Sequence, residues 1–547
     1  VKILESYRPD PAVFFAFALC FLAFLYTSPA SAQIQDYVEH WDKNRMVKRS
    51  EGKYQAGLEH GPWKHYYPSG ALRESLFYVL GRLDGPAITW YENGTMATKG
   101  YFRWDQPDSL HQAWYPDGKQ KEEGTYRMGK KADSWTYWYT NGNMRYRERF
   151  VEHGKVLLVD AWKPDGTQTV ADGKGFLEEY FDNGVVSARE TYTAGLHSGM
   201  SETWWPGGAK RTEGFYTNGL KDSTWSYYLE SGLLLKRSTY RQDTLHGPFV
   251  EYFDDGNKAL EGHFRKGQKN GTWTFYRKDA HKEMEGTFVN DLRHGAWTYW
   301  YPDGTVQTRG TWFNGRMHGV WEFFYPNGQK WRLGAYKEDL KDSTWTTWFE
   351  NGNTLQQGNY SQGKEEGLWK AWYENGRPKD EGYFKQGRID GAWKGWFPDG
   401  KPRYTGFWQN DMKKGHWKHW SKQGLPESDA WYEGGVLNGP YTRYNQQGIP
   451  EMQGAFANGK PNGAWIYYFP EGGKMRECTY VNGSLEGASI TYHRTGGGIH
   501  IKETYKANKR HGIMYEYSPR GNLIRSTEFK AGRKVKVLED NTPGSPK

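Results

Sequence analysis

Along this chain the apolar positions are large rings that return every 24 residues, set among glycines and charged or amide side chains. A small residue marks the beat at Gly199, Ser223, Gly247, Gly271, Gly295, Gly319, Ser343, Gly367, Gly391, Gly415, Gly439, Gly463 and Gly487, with no insertion between them. Counting each unit from that residue as position 0, position 2 is aromatic in eleven of twelve units, and positions 5 and 17 are aromatic in all twelve. Position 9 is Gly in eleven, Ala280 being the exception, and position 15 is often Gly, as at Gly262, Gly286 and Gly310. Self-similarity at such a period means that each unit is one supersecondary element unable to bury its own face. Stability then comes from stacking on neighbours.

The polar positions say what the element is. Tyr301-Pro302-Asp303-Gly304, Phe397-Pro398-Asp399-Gly400 and Tyr373-Glu374-Asn375-Gly376 are turn sequences. Proline presets φ, Asp or Asn tolerates the next position, and Gly supplies positive φ at the last. A second link, Asn314-Gly315-Arg316-Met317-His318-Gly319, closes one unit and opens the next. Each unit is therefore predicted as two short strands and two turns. Turn signals every 10 to 14 residues leave no room for ordinary helices. Alternation along a strand puts positions 2, 4 and 6 on one face and 3 and 5 on the other, so Trp297 and Trp300 should face opposite ways unless a bulge intervenes. Gly at position 15 leaves room for a ring to lie over it. The predicted fold is all-β: an elongated, single-layer antiparallel β-hairpin array of about 20 units, on the order of 190 Å long if fully extended.

The frame extends beyond the regular block. Gly61, Gly85 and Ser109 keep the step, Ser134-Trp135 resumes one residue late, and Glu51-Gly52-Lys53-Tyr54 reads as the second half of a unit. Residues 148–173 diverge, although Trp162-Lys163-Pro164-Asp165-Gly166 preserves one turn; Gly496-Gly497-Gly498 disturbs 494–503. These features predict an array over residues 47–530, a short lead-in over 33–46, and a disordered tail over 531–547. Before them, Lys2 and Arg8 precede an apolar run over 12–26 and a small-x-small site at Ala30 and Ala32. The run is short for a membrane span of about 20 residues, and the pattern is that of a secretory signal over residues 1–32. The mature chain is expected to start near Gln33 and to work in the periplasm, cell envelope or extracellular space, an uncleaved anchor being the alternative.

Composition sharpens this picture in three ways. Aromatics make up 17% of the 547 residues although the mean hydropathy is −0.95, so rings carry the burial and disorder is disfavoured. The net charge of +9 comes from 73 basic and 64 acidic residues without long like-charge blocks, which argues against a nucleic-acid arm. Cys20 and Cys478 are the only cysteines, so no intramolecular disulfide framework remains once a leader is removed.

The succession Gly-x-Trp-x-x-Trp/Tyr-Tyr/Phe-x-x-Gly, then Gly-x-Tyr/Phe-x-x-Gly, resembles the MORN (membrane occupation and recognition nexus) repeat in its bacterial variant form, over about residues 47–530. The resemblance implies elongated β-hairpin stacks. It implies scaffold and assembly roles, with lipid binding for some members, and an antitoxin label carried by many bacterial arrays.

Candidate chemistry is sparse. His246, His294, His318 and His511 each precede a repeat-start Gly, but equivalent positions roughly 10 Å apart lack a third ligand, so no metal is expected. Glu213, Glu261, Glu285, Glu381 and Glu477 recur at position 14 without any sign of two environments set apart, so they read as surface carboxylates. No nucleophile elbow, phosphate loop or zinc-protease motif stands out. The expectation is a non-enzyme without cofactor, metal or nucleic acid, of open oligomeric state: an exported scaffold binding a protein or a glycan along an aromatic surface. Its candidate ligand-surface residues are Trp300, Trp348, Trp372, Trp396 and Trp420. The alternatives are a membrane-surface module and an antitoxin-like inhibitor of a partner protein.

Overall fold

A computed structural model describes residues 33–543. The expected export signal over 1–32 lies outside the described residues. The described chain holds 48 strands, each pair antiparallel, and no α-helix. It divides into two compact units, up to His246 and from Gly247 onward.

Each repeat is built as its sequence dictates. In the unit from Gly295, strand Leu292–Trp300 turns through Tyr301-Pro302-Asp303-Gly304 into strand Val306–Phe313. The Gly304 N–H donates to the Tyr301 carbonyl at 3.0 Å, and the Tyr301 N–H donates to the Thr305 carbonyl at 2.8 Å. This is a type I turn closed by a glycine bulge, with φ of 86° at Gly304. The next link, Asn314-Gly315, has φ of 48° and 79°, the mirror-image type I′ turn that matches strand twist.

Pairing places Trp297 opposite Gly310 within its unit and opposite Gly286 of the preceding one. The Trp297 ring lies flat over Gly286, where a Cβ would come within 2.1 Å of it. Its Nε1–H donates to the Thr287 carbonyl at 3.1 Å, Phe288 meets it edge-on with centroids 5.1 Å apart, and Tyr299 stacks at 6.1 Å. Arg293 caps the outer side at 4.9 Å. A single layer thus buries a tryptophan to 1% exposure by using its own backbone as floor and its neighbours as walls. The partnership is reciprocal: where position 2 is Ser489, the facing position 15 is Cys478, and both are buried.

Three expectations are corrected. The frame does not slip near Ser134: Asp133, with φ of 55°, takes position 0, and Trp135 lies over Gly124 as its equivalents do. Asp tolerates the left-handed region, so no glycine signalled it. The lead-in contains strand Ile34–His40, paired with Lys48–Gln55. The tail contains strand Arg533–Asp540, paired with Leu523–Lys530. Its side chains are all exposed; backbone pairing holds it, which explains why a strand with lysines in alternation reads as a polar tail.

The divergent stretch is a shortened unit. Gly175 follows Leu157 by 18 residues instead of 24, and strand Gln168–Ala171 is only four residues long. Leu158, Ala161, Val170, Leu177 and Tyr192 close into a small core there. Burial pushes the Glu178 carboxyl up, but hydrogen bonds from Tyr180, Lys163 and Arg189 outweigh it and bring it down to about 2.

Candidate binding face

The face opposite the buried tryptophans is where the candidate rings sit. Trp300, Trp348, Trp372, Trp396 and Trp420 are the last residues of their strands, and all five are half-buried. Trp297 and Trp300 point to opposite sides, because the extra residue of the intervening bulge, Gln307, lies on the partner strand. Part of what holds position 5 is backbone: the Tyr325 hydroxyl donates to the Trp348 carbonyl at 2.9 Å and the Tyr373 hydroxyl to the Trp396 carbonyl at 2.8 Å.

In several units this face is tied up internally. Lys258 and the Tyr276 hydroxyl both donate to Glu261, at 2.8 and 2.6 Å. Lys210–Glu213–Tyr228 and Lys474–Glu477–Tyr492 repeat the arrangement. The lysine hydrogen bond, seconded by the tyrosine, holds Glu213, Glu261 and Glu477 below the usual glutamate range. The three shifts run in one direction, toward the ionised form.

The three units from Gly367 to Glu433 differ. Position 11 is Pro378, Pro402 and Pro426, opposite Trp372, Trp396 and Trp420, so the triad's lysine is missing from all three units, and its tyrosine place is taken by Trp396 and Trp420 in the first two. Position 16 carries Tyr383, Phe407 and Trp431, exposed by 45%, 43% and 42%. They stand opposite Leu368, Ala392 and His416. The His416 ring stacks on Trp431 at 5.2 Å and 16°, and it also bonds Asp429. Between the two ring columns lie the facing pairs Lys370–Glu381, Lys394–Thr405 and Lys418–Asp429. The position-16 rings escape sequence reasoning because that position is small or polar in most other units, as at Thr287, Thr311, Ala335 and Asn359, and only scattered rings such as Tyr101 and Phe215 share it, so a repeat average dilutes them. Three consecutive aromatics there are the signal that finds them.

Two other features carry no site. His294 and His318 both pack against Phe313, at 5.4 and 5.9 Å, with the ring as shared neighbour. Among the described residues no group of three or more His, Cys, Asp or Glu is placed to hold a metal ion. A cavity of about 460 Å³ opens at the shortened unit, lined in part by Glu148, Glu179, Glu190 and His197. Its carboxylates are engaged by Tyr137, Arg145 and Tyr192.

Fold and face together define a β-hairpin repeat protein with one self-capped tryptophan face and one mixed aromatic and polar face. The MORN repeat variant profile matches residues 59–79, 83–103, 293–314, 317–338, 341–362, 365–386 and 389–410. Over these seven stretches the chain carries repeats of the MORN repeat variant family. No curated protein matches it. Among solved structures it is similar to the crystal structure of TcdB2-TccC3-TEV, at 11% identity over 89% of this chain and 28% of that chain, with a TM-score of 0.14. It is also similar to the Photorhabdus luminescens Tc holotoxin pore, at 9% identity over 90% of this chain and 32% of that one, with a TM-score of 0.13. The chain spans under a third of the length of these toxin-complex chains, and likeness at such TM-scores bears on neither fold detail nor role.

Proposed function

We propose that this chain is an exported, non-catalytic scaffold that binds a protein or a polysaccharide along the face carrying Trp300, Trp348, Trp372, Trp396 and Trp420. One observation carries the reading: in units 367–433 that face adds a second column of three successive exposed rings, at a position that most other units fill with Thr, Ala or Asn. Exposed aromatic patches on a rigid support mark interaction surfaces. Rings held on a preorganised sheet also lose little entropy on binding. The position-14 carboxylates support no acid and base division of labour.

The test is affinity capture by the immobilised chain from an envelope fraction, followed by oxidative footprinting of the complex. Protection of Trp372, Trp396, Trp420 and Trp431 is the expected result. Protection confined to the opposite face, or association with anionic vesicles alone at low salt, would replace this reading with a membrane-surface role. Polysaccharide hydrolysis by the purified chain would overturn the non-catalytic part.

A further inference from the structure

Tyr383, Phe407 and Trp431 are dispensable for the fold, since neighbouring units hold the same backbone with Thr311, Ala335 or Asn359 in that place. Two of them are nevertheless fixed. The Tyr383 Cβ lies where a Cβ on Gly391 would be only 2.8 Å away, and Trp431 sits in the same way against Gly439 at 3.0 Å. Tyr383 and Trp431 are thus seated on the first glycine of the next unit, which sets their orientation before any ligand arrives, whereas Gly415 makes no such contact with Phe407. Equivalent rings recur once per two strands, a spacing of roughly 10 Å, in a row that runs across the strands.

The chemistry between the columns narrows the occupant. Lys370 faces Glu381 at 3.7 Å, Lys418 faces Asp429 at 3.7 Å, and Lys394 stands opposite Thr405. Each step offers donors and acceptors with nearly balanced charge. A polyanion or an anionic membrane needs a cationic excess that this patch lacks. A polymer with apolar C–H faces and a dense rim of hydroxyls fits: the faces stack on the rings, and the hydroxyls bond to Lys, Glu, Asp and Thr.

We propose that units 367–433 form a platform for one neutral polysaccharide chain lying across the strands, stacked on Tyr383, Phe407 and Trp431. The proposal rests on the scaffold reading above and names the ligand class and place. The test is affinity electrophoresis of the full chain in gels containing hydroxyethyl cellulose as neutral glycan or alginate as acidic glycan. Co-sedimentation with phosphatidylglycerol vesicles runs beside it. The variant is the triple Tyr383→Thr, Phe407→Thr, Trp431→Thr, which installs the residue that Thr311 already provides in the fold. The control is Phe215→Thr, an exposed position-16 ring whose neighbours in the column are Thr191 and Thr239.

The expected result is retardation by hydroxyethyl cellulose, weakened at least about tenfold in the triple variant, as for loss of hot-spot rings, and unchanged in the control. Equal retardation of wild type and triple variant overturns the proposal, as does stronger binding to alginate or vesicles than to the neutral polymer. If the triple variant loses a captured envelope protein while no neutral glycan binds, the glycan proposal fails and the scaffold reading stands. If it changes neither, both fail.

Discussion

Units 247–289 and units 367–433 share a backbone and a row of position-2 rings, Phe249 and Trp273 in the first and Trp369, Trp393 and Trp417 in the second, yet they use their other face in opposite ways. In the first, Lys258, Glu261 and Tyr276 satisfy one another, and the face is closed by its own hydrogen bonds. In the second, proline replaces the lysine throughout, Trp396 and Trp420 replace the tyrosine beside Glu381 and Thr405, and extra rings stand in solvent at position 16. The lesson is a division of labour within each repeat. The tryptophan over glycine specifies the stack, and the opposite face is left to vary because the fold does not depend on it.

The largest expected effect comes from breaking what the two regions share. Trp297→Ala removes a fully buried ring and should cost about 3–5 kcal/mol. The loss should be local to neighbouring repeats, as stability in such arrays is a sum over nearest neighbours. Hydrogen exchange should show residues 271–313 opening while 415–468 keep their protection; uniform loss across the chain would contradict the repeat-wise account. Gly310→Ala comes next. Its Cβ would sit about 2.2 Å from the Trp321 ring, and overpacking of this kind costs about 1–3 kcal/mol, readable as a lowered Tm.

Smaller changes separate the two regions. Phe407→Thr should alter stability by no more than about 0.5 kcal/mol, as for other exposed substitutions. A large drop in Tm would mean that the ring is structural after all. Acid sharpens the contrast further. Glu261 is held below its unfolded value by Lys258 and Tyr276, so its contribution is present above the ordinary glutamate range and is lost as pH falls through the folded value. Glu261→Gln should therefore flatten the loss of stability on acidification, by under about 1 kcal/mol for so exposed a pair, whereas Phe407→Thr should leave that pH profile unchanged. Finally, Pro378→Lys with Trp396→Tyr grafts the triad onto Glu381. The expected outcome is a small rise in Tm that a further Glu381→Gln substitution abolishes, and an unmoved Tm would show that the triad needs more than these residues.

Most of the fold was legible before any coordinates. The turns at Tyr301-Pro302-Asp303-Gly304 and Asn314-Gly315 are written in residues whose φ preferences admit few alternatives. The opposite facing of Trp297 and Trp300 follows from alternation. Asp133 at a left-handed position and the exposed strand Arg533–Asp540 were not legible, because neither carries the glycine or buried ring that marks its equivalents. The candidate surface was half legible. Position 5 announced itself by being aromatic everywhere, while Tyr383, Phe407 and Trp431 were hidden by being exceptions.

By itself, the sequence determined the unit: its length, its two turns, its strand directions and the ring that covers each glycine. These are local choices, made within one or two repeats by backbone sterics and by space for a side chain. Only the tertiary structure decided which rings are closed by partners and which face water. That depends on residues in adjacent repeats, such as Glu261 beneath Tyr276 and Gly391 beneath Tyr383, which meet only when hairpins stack.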